Sequence, residues 1–209
     1  MSESKKSLSL MYKLLIIIMT SIGLYINFRF TTFQGGIVYF TLQSNLLCFI
    51  FYFLCFNLHL FGKLKKDKTY YMFKGMITTC IILTMFIYSM LELTNNINAY
   101  DGHLVECIFV HYLTPIMITI DYFAFDEKGK TKFSYPFIWS VPVIAYGVFN
   151  LIYTVLGGTF IEGKYAYSFF NVEKYGIFGV TLNSVLIFIC FVFFGYIVYF
   201  MDKRLAGDK

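Results

Sequence analysis

The side chains in this sequence that could do chemistry are polar groups embedded in long apolar runs. One stripe, at the spacing i, i+3, i+4 and i+7 that shares a helix face, consists of Thr41, Ser44, Asn45 and Cys48. A second stripe centres on His111, with Cys107 four residues before it and Pro115 four residues after it. Imidazole and hydroxyl groups can transfer protons, and side-chain amides donate and accept hydrogen bonds. Burying any of these groups in hydrocarbon is costly. The two stripes therefore predict a small polar chamber between helices.

The rest of the sequence indicates that these stripes lie on membrane-spanning helices. Of the 209 residues, 58% are hydrophobic and only 14% are charged, whereas about a quarter of a soluble domain is charged. Six apolar runs are near or above the length that crosses a bilayer, at 8–28, 36–61, 76–93, 104–125, 136–156 and 177–201. We expect an all-α, six-helix membrane protein that forms one domain over residues 1–209. Pro142 should kink the fifth helix.

The distribution of basic residues predicts the orientation of these helices. All but three of the 17 basic residues lie in the two termini and in the second and fourth loops. The three others, on the opposite side, are Arg29, Lys164 and Lys174. Because positively charged loops remain in the cytoplasm, this alternation predicts that both ends of the chain are cytoplasmic. The basic residues thus need no nucleic-acid partner to explain them. Low arginine relative to lysine suggests a bacterial protein, and hence the bacterial plasma membrane.

Polar side chains on several predicted helices fall at a similar depth below the outer surface. At 1.5 Å per residue, Thr41 lies about 7 Å from the outer end of its helix and His111 about 10 Å from the end of its own. Asn150 and Asn183 both come out at about 9 Å. Glu92 closes the third helix on the same side. We expect these groups to form a polar belt in the outer half of the bundle.

Each residue of this belt also has a purely structural interpretation. A threonine in a membrane helix usually donates its hydroxyl to the carbonyl one turn earlier, and Thr41 could do only that. Asn45, Asn150 and Asn183 could hold neighbouring helices together through hydrogen bonds. A membrane histidine is rarer, so His111 is a functional hypothesis from the start. Asp121, nearer the cytoplasmic end, could pair with a lysine.

Three short segments resemble a known family. They are Phe40-Thr41 with Gln43-Ser44-Asn45, then His111 with Pro115 and Asp121, and then Tyr165-Ala166-Tyr167-Ser168-Phe169-Phe170-Asn171-Val172 with Gly176. In this order they resemble the androgen-induced-protein family, which includes the androgen-dependent TFPI-regulating protein, and more closely its bacterial members. The resemblance covers nearly the whole chain and implies a six-helix bundle. Ala166 and Ser168 stand where the family usually has proline, and His111 is one residue closer to Pro115 than in the animal proteins.

The resemblance implies a hydrolase of fatty acid esters of hydroxy fatty acids. The family's threonine nucleophile corresponds to Thr41 and its histidine partner to His111. An ester carbonyl also needs donors around its developing oxyanion. The polar-pocket and oxyanion candidates are Ser44, Asn45, Asn150 and Asn183. The acid that would orient the histidine stays open between Glu92 and Glu106, and Cys107 is an alternative nucleophile.

Two other functions remain open at this point. A small-molecule transporter would use the same six helices, and three helices followed by three of opposite orientation permit an inverted repeat. A non-catalytic membrane protein would use the polar belt only for packing. Neither a nucleotide-binding nor a metal-binding motif appears, and the five cysteines form no CxxC pair, so we expect no cofactor and no metal. The expected partners are membrane lipids or a lipid-like ester, and protein partners are not indicated.

Overall fold

The structure is a computed structural model that describes residues 3–31, 33–93, 104–161 and 163–207. The described part of the chain is helical, apart from loops and an isolated bridge between Phe160 and Gly163. The helices are α1 (Glu3–Phe30), the short α2 (Phe33–Ile37), α3 (Phe40–Leu60), α4 (Lys68–Leu93), α5 (Leu104–Phe125), α6 (Tyr135–Val155) and α7 (Val172–Ala206). All but α2 are long and apolar enough to cross a membrane. The predicted all-α fold with six spans is confirmed.

Most predicted spans agree with the helices, and the disagreements are at their ends. The predicted span 104–125 coincides with α5. The predicted span 36–61 begins too early, because the chain breaks between α2 and α3. The predicted span 76–93 begins too late, because α4 starts at Lys68. Lys74, which the sequence predicts to lie in the second loop, is inside that helix.

Proline and glycine interrupt the last two helices. In α6 the helix breaks at Ser140, two residues before Pro142. Pro142 has no N–H to donate to the carbonyl four residues earlier, so the predicted kink is present. In α7 the backbone at Gly176 has φ 66° and ψ 173°, which interrupts the helix after its first turn. The predicted span 177–201 therefore begins at the real break.

The core is built around α4, which packs against α3, α5, α6 and α7. One buried cluster joins it to α1, α3 and α5 through residues such as Tyr52 and Ile118. Another joins it to α5, α6 and α7 around Trp139, which is fully buried. Trp139 packs directly on Gly75 of α4, where a Cβ atom would overlap the indole ring. The close approach of α4 and α6 thus depends on a glycine at this position.

At one end of the bundle, buried charged side chains from several helices pair with each other. This ionic cluster consists of Lys13, Lys66, Lys74, Asp121 and Asp126, with the hydroxyls of Tyr52 and Tyr70. Lys74 pairs with Asp121, and Lys13 pairs with the other carboxylate oxygen of Asp121 at 3.1 Å. Lys74 also lies 3.3 Å from Asp126. Apart from Lys66, the charged side chains of the cluster are almost completely buried.

The ionic cluster explains charges that the sequence alone left unassigned. The predicted pairing of Asp121 with a lysine is confirmed, and it has two partners. From the sequence, Lys13, Lys66 and Lys74 are only basic residues of the predicted cytoplasmic side. The cluster brings together side chains from the first half of α1 and of α4 and from the second half of α3 and of α5. These ends lie together, as alternating helices require, and the cytoplasmic orientation of both termini stays a prediction.

Candidate functional site

Thr41 and His111 meet at the opposite end of the bundle from the ionic cluster. Thr41 is in the first turn of α3 and His111 is in the first half of α5. The His111 Nε2 atom lies 3.3 Å from the Thr41 hydroxyl oxygen. Both side chains are half-buried and face the same cavity. An imidazole nitrogen at this position can accept the proton of the hydroxyl.

The position of Thr41 within its helix explains why its hydroxyl faces the histidine. Five other threonines inside the helices donate to the carbonyl four residues earlier: Thr78, Thr79, Thr84, Thr119 and Thr181. Thr41 is only the second residue of α3, which follows Tyr39 in extended conformation. The preceding backbone therefore offers no helical carbonyl of the same helix one turn earlier. The structural interpretation of Thr41 as a residue bonded one turn back does not describe its geometry.

A widened turn in α5 places His111 and creates a carbonyl that needs a partner. Residues Ile108–Leu113 form a π-helical turn, in which the Thr114 N–H bonds to the Phe109 carbonyl. The Val110 carbonyl would then pair with the N–H of Pro115, which proline lacks. Asn45 of α3 supplies the donor instead, with its side-chain amide 3.0 Å from the Val110 oxygen. This bond ties α3 to α5 next to the reactive pair.

Ser44 and Asn45 support Thr41 from behind rather than face the cavity. The Asn45 amide donates to the Thr41 carbonyl at 2.8 Å, and the Ser44 hydroxyl donates to the same oxygen at 3.0 Å. Ser44 also lies 2.9 Å from the Thr84 hydroxyl on α4. Both side chains are buried and neither lines the cavity. Their geometry fixes the backbone of Thr41 and leaves no donor directed at a substrate.

Aromatic packing holds the ring of His111, and no acidic side chain of the described residues orients it. Tyr88 stacks on the imidazole with ring centroids 3.7 Å apart and planes 18° apart. The Cys107 carbonyl, one turn earlier, interacts with the ring. However, Nδ1 makes no hydrogen bond of good geometry to any described residue. The two acids considered from the sequence bind elsewhere: Glu92 accepts from Tyr112 at 2.7 Å, and Glu106 pairs with Asn27.

The cavity in front of Thr41 and His111 is large and mainly apolar. It has a volume of about 1270 Å³ and extends between α6 and α7. Val143, Ile144, Val180 and Phe188 are among the apolar side chains of these two helices that line it. The second part of α6 has only two buried residues, Tyr146 and Asn150. The two helices thus form a loosely packed side wall.

The remaining predicted asparagines lie around this cavity, and only one lines it. Asn150 does, and its amide nitrogen lies 3.4 Å from the Tyr146 hydroxyl. Asn183 does not line it, and its amide donates to the Phe169 carbonyl at 3.0 Å. That bond attaches the loop before α7 to α7 itself. Thr41, His111 and Asn150 therefore share the cavity, whereas Ser44, Asn45 and Asn183 hold its walls.

Sequence reasoning missed Tyr146 and Tyr167 as residues of the site. The Tyr167 hydroxyl interacts with the side chain and backbone of Thr41 and with the Tyr146 hydroxyl. Both tyrosines line the cavity. The feature of the sequence that pointed to Tyr167 is its position in the segment Tyr165–Val172, one of the three segments that carry the family resemblance. Tyrosine is common in this chain, with 18 residues, so its presence alone carried little information.

The described residues offer no group of three His, Cys, Asp or Glu side chains that could hold a metal ion. The five cysteines are free thiols.

Comparison of the chain with protein-family models, curated proteins and solved structures gave no significant match.

Proposed function

We propose that the chain is an intramembrane hydrolase of acyl esters, with Thr41 as the nucleophile and His111 as the general base. The observation that carries this proposal is the 3.3 Å approach of His111 Nε2 to the Thr41 hydroxyl on the wall of the cavity. A threonine hydroxyl becomes an effective nucleophile when a positioned base removes its proton. The resemblance to the androgen-induced-protein family leads to the same two residues.

The reaction follows the usual two steps of acyl transfer. His111 Nε2 takes the Thr41 proton while the hydroxyl oxygen bonds to the ester carbonyl carbon, and the carbonyl π pair moves onto its oxygen. That pair then re-forms the carbonyl as the bond to the alcohol breaks, and His111 returns the proton to the alcohol oxygen. A water molecule, deprotonated by His111, next attacks the acyl-threonine. This attack releases the fatty acid and restores the Thr41 hydroxyl.

The cavity favours a lipid as the substrate class. At about 1270 Å³ it exceeds the roughly 300–1,000 Å³ of pockets for drug-sized ligands. Its apolar walls come from α6 and α7, whose outward faces are exposed where the bilayer would lie. An ester could enter from the membrane with its chains along these walls and its carbonyl at Thr41. We propose membrane lipids or lipid-like esters as substrates, and the bacterial plasma membrane as the location.

The test is covalent labelling of the detergent-solubilised protein with a fluorophosphonate probe. The wild type should become labelled, whereas Thr41→Ala and His111→Ala should not. Thr41→Ser, which keeps a hydroxyl, should label. Thermal unfolding midpoints of all four proteins must agree within a few degrees for the comparison to be valid.

Each outcome of this labelling experiment leads to a different conclusion. Loss of labelling in both variants with unchanged midpoints supports the hydrolase and justifies a screen of lipid esters. A folded wild type that neither labels nor hydrolyses any acyl ester contradicts it. Variants that lose stability while the wild type shows no activity would instead indicate that the polar belt serves packing alone.

A transporter is the second candidate, because charged residues inside a membrane bundle often mark ion or proton pathways. The ionic cluster is such a group, with Lys13, Lys74 and Asp121 buried between helices. Against this function, these charges are paired with each other, and none of them lines the cavity. The transporter predicts uptake of a solute into proteoliposomes that survives Thr41→Ala. Uptake lost in that variant would argue against it.

A further inference from the structure

We propose that the Tyr167 hydroxyl and the backbone N–H of Thr41 form the oxyanion hole of this site. The inference rests on the proposed hydrolase function and adds a catalytic residue to it. Tyr167 belongs to the loop between α6 and α7, outside both helices. Its ring packs against Tyr39, two residues before Thr41, with ring centroids 5.9 Å apart, and its side chain lines the same cavity as Thr41. Its hydroxyl interacts with Thr41 at the start of α3.

The first turn of α3 supplies backbone donors that the helix itself does not use. The N–H of Gln43 is the first to bond within the helix, to the Tyr39 carbonyl at 3.1 Å. The N–H groups of Phe40 and Thr41 precede it and have no helical carbonyl to reach. The backbone at Phe40 interacts with the Tyr146 hydroxyl, and the backbone at Thr41 interacts with the Tyr167 hydroxyl. The Thr41 N–H and the Tyr167 hydroxyl are therefore neighbours at the wall of the cavity.

This arrangement fits the geometry of the tetrahedral intermediate. The oxyanion and the Thr41 hydroxyl oxygen are then bound to the same carbon atom, so a donor that reaches one oxygen lies close to the other. The Tyr167 hydroxyl interacts with both the side chain and the backbone of Thr41, and both residues line the cavity. Thr41 lies at the N-terminus of α3, which is the positive end of the helix dipole and favours negative charge. His111 approaches Thr41 through Nε2 and remains free to carry the proton.

Three of the four side chains that the sequence favoured for this role are committed to backbone carbonyls, and the fourth, Asn150, has its amide nitrogen 3.4 Å from the Tyr146 hydroxyl. The Ser44 hydroxyl and one Asn45 donor are bound to the Thr41 carbonyl, and the second Asn45 contact is the Val110 carbonyl. The Asn183 amide donates to Phe169 in the loop. That last bond has a role in the proposal, because it anchors the segment that carries Tyr167.

The loop holds the Tyr167 ring rigidly and keeps its hydroxyl protonated. The ring stacks on Phe169, with centroids 5.0 Å apart and planes 12° apart, and meets the edge of Tyr39 at 5.9 Å. Desolvation raises the pKa of the Tyr167 hydroxyl to about 12. The phenol therefore remains a hydrogen-bond donor at neutral and moderately alkaline pH.

The experiment compares Tyr167→Phe with Tyr153→Phe. Tyr153 is a matched control, because its hydroxyl binds the same loop, at the Thr159 carbonyl 3.2 Å away, and does not line the cavity. The rate of fluorophosphonate labelling should fall about 100-fold in Tyr167→Phe, the typical effect of losing one oxyanion donor, and should stay unchanged in Tyr153→Phe. A trifluoromethyl ketone that forms a tetrahedral adduct with Thr41 should bind about 100-fold more weakly to Tyr167→Phe. A carbonyl-free ether of the same length should bind both proteins equally.

The outcomes separate this inference from the function on which it rests. Normal labelling and normal ketone affinity in Tyr167→Phe overturn the oxyanion role and leave the hydrolase intact. Equal weakening of the ketone and the ether also overturns it, because Tyr167 would then shape the cavity rather than stabilise charge. A folded wild type that never labels overturns both proposals.

Discussion

Polar groups are buried at both ends of this bundle, but their surroundings differ. In the ionic cluster, Lys74 and Asp121 are fully buried and lie among further charged and hydroxyl partners. At the other end, Thr41 and His111 share one contact of 3.3 Å and face a cavity of about 1270 Å³. About 16 Å of α3 separates the two, from Thr41 to Tyr52.

This difference indicates what each end contributes. Buried ion pairs connect four helices in the ionic cluster. Removing one charged side chain leaves its partners without a counter-charge in a medium of low dielectric constant. Among the described residues, the cavity end has no such ion pairs, and His111 Nδ1 has no hydrogen-bond partner. Incomplete hydrogen bonding is typical of sites whose groups must exchange partners with a substrate. We therefore expect substitutions at the ionic cluster to affect stability most, and substitutions at the cavity to affect activity most.

The largest expected loss of stability follows from removing the shared carboxylate. Asp121→Asn leaves Lys13 and Lys74 buried without their common counter-charge, which should lower the free energy of unfolding by about 3–5 kcal/mol. Unfolding by SDS in mixed micelles measures this. Glu127→Gln, which removes an exposed ion pair with Lys130, is the control and should behave as wild type. Equal stability of Asp121→Asn and wild type would show that the ionic cluster does not hold the helices together.

The bond between α3 and the widened turn of α5 should have the next largest effect. Asn45→Ala leaves the Val110 carbonyl without a donor, at a cost of about 1–3 kcal/mol in the same assay. Asn57→Ala is the matched control, because Asn57 donates only to Phe53 of its own helix. If both variants lose the same stability, Asn45 acts locally and the link to α5 contributes nothing. Labelling of Asn45→Ala should also slow, since Thr41 loses one of its backbone supports.

Acid should weaken the ionic cluster through Asp126. Burial alone would raise the pKa of this carboxyl, but Lys74 and Lys66 beside it hold the pKa down to about 2. A group with a depressed folded-state pKa stabilises the protein above its unfolded-state value, here 3.8, and that contribution is lost as the pH falls toward about 2. We expect thermal midpoints to drop between about pH 4 and pH 2, by an amount that reflects on the order of 2 kcal/mol. Asp126→Asn should flatten this part of the profile, and a profile unchanged by that substitution would contradict the assignment.

The sequence was sufficient for the features set by length and periodicity. Six apolar runs predicted six helices because backbone groups in hydrocarbon must bond within their own segment. Depth counted along α3 and α5 put Thr41 and His111 at about the same level, and in the structure they meet. Neither step required knowledge of which helices are neighbours.

Other features depend on packing that the sequence does not express locally. Lys74 precedes the apolar run that begins at residue 76, so the sequence predicts a loop there. Its contacts with Asp121, 47 residues away, and with Asp126 explain its burial inside α4. Asn45 shares the helix face of Thr41, yet its donors turn to carbonyls because the π-helical turn of α5 exposes one at Val110. Tyr167 reaches the site from a loop, where no periodicity marks its direction.

The smallest expected change in stability coincides with the complete loss of activity. Thr41→Ala removes a half-buried hydroxyl whose contacts, to His111 and Tyr167, are uncharged. Its free energy of unfolding should therefore change by less than about 1 kcal/mol, while fluorophosphonate labelling disappears. Thr78→Ala is the control from the closed part of the bundle, where the hydroxyl is fully buried and bonds to the Lys74 carbonyl at 2.8 Å. That variant should lose about 1 kcal/mol of stability and label like wild type. If Thr41→Ala were instead the less stable of the two and labelling persisted, the hydroxyl at the cavity would serve packing, and the functional distinction between the two ends of the bundle would fail.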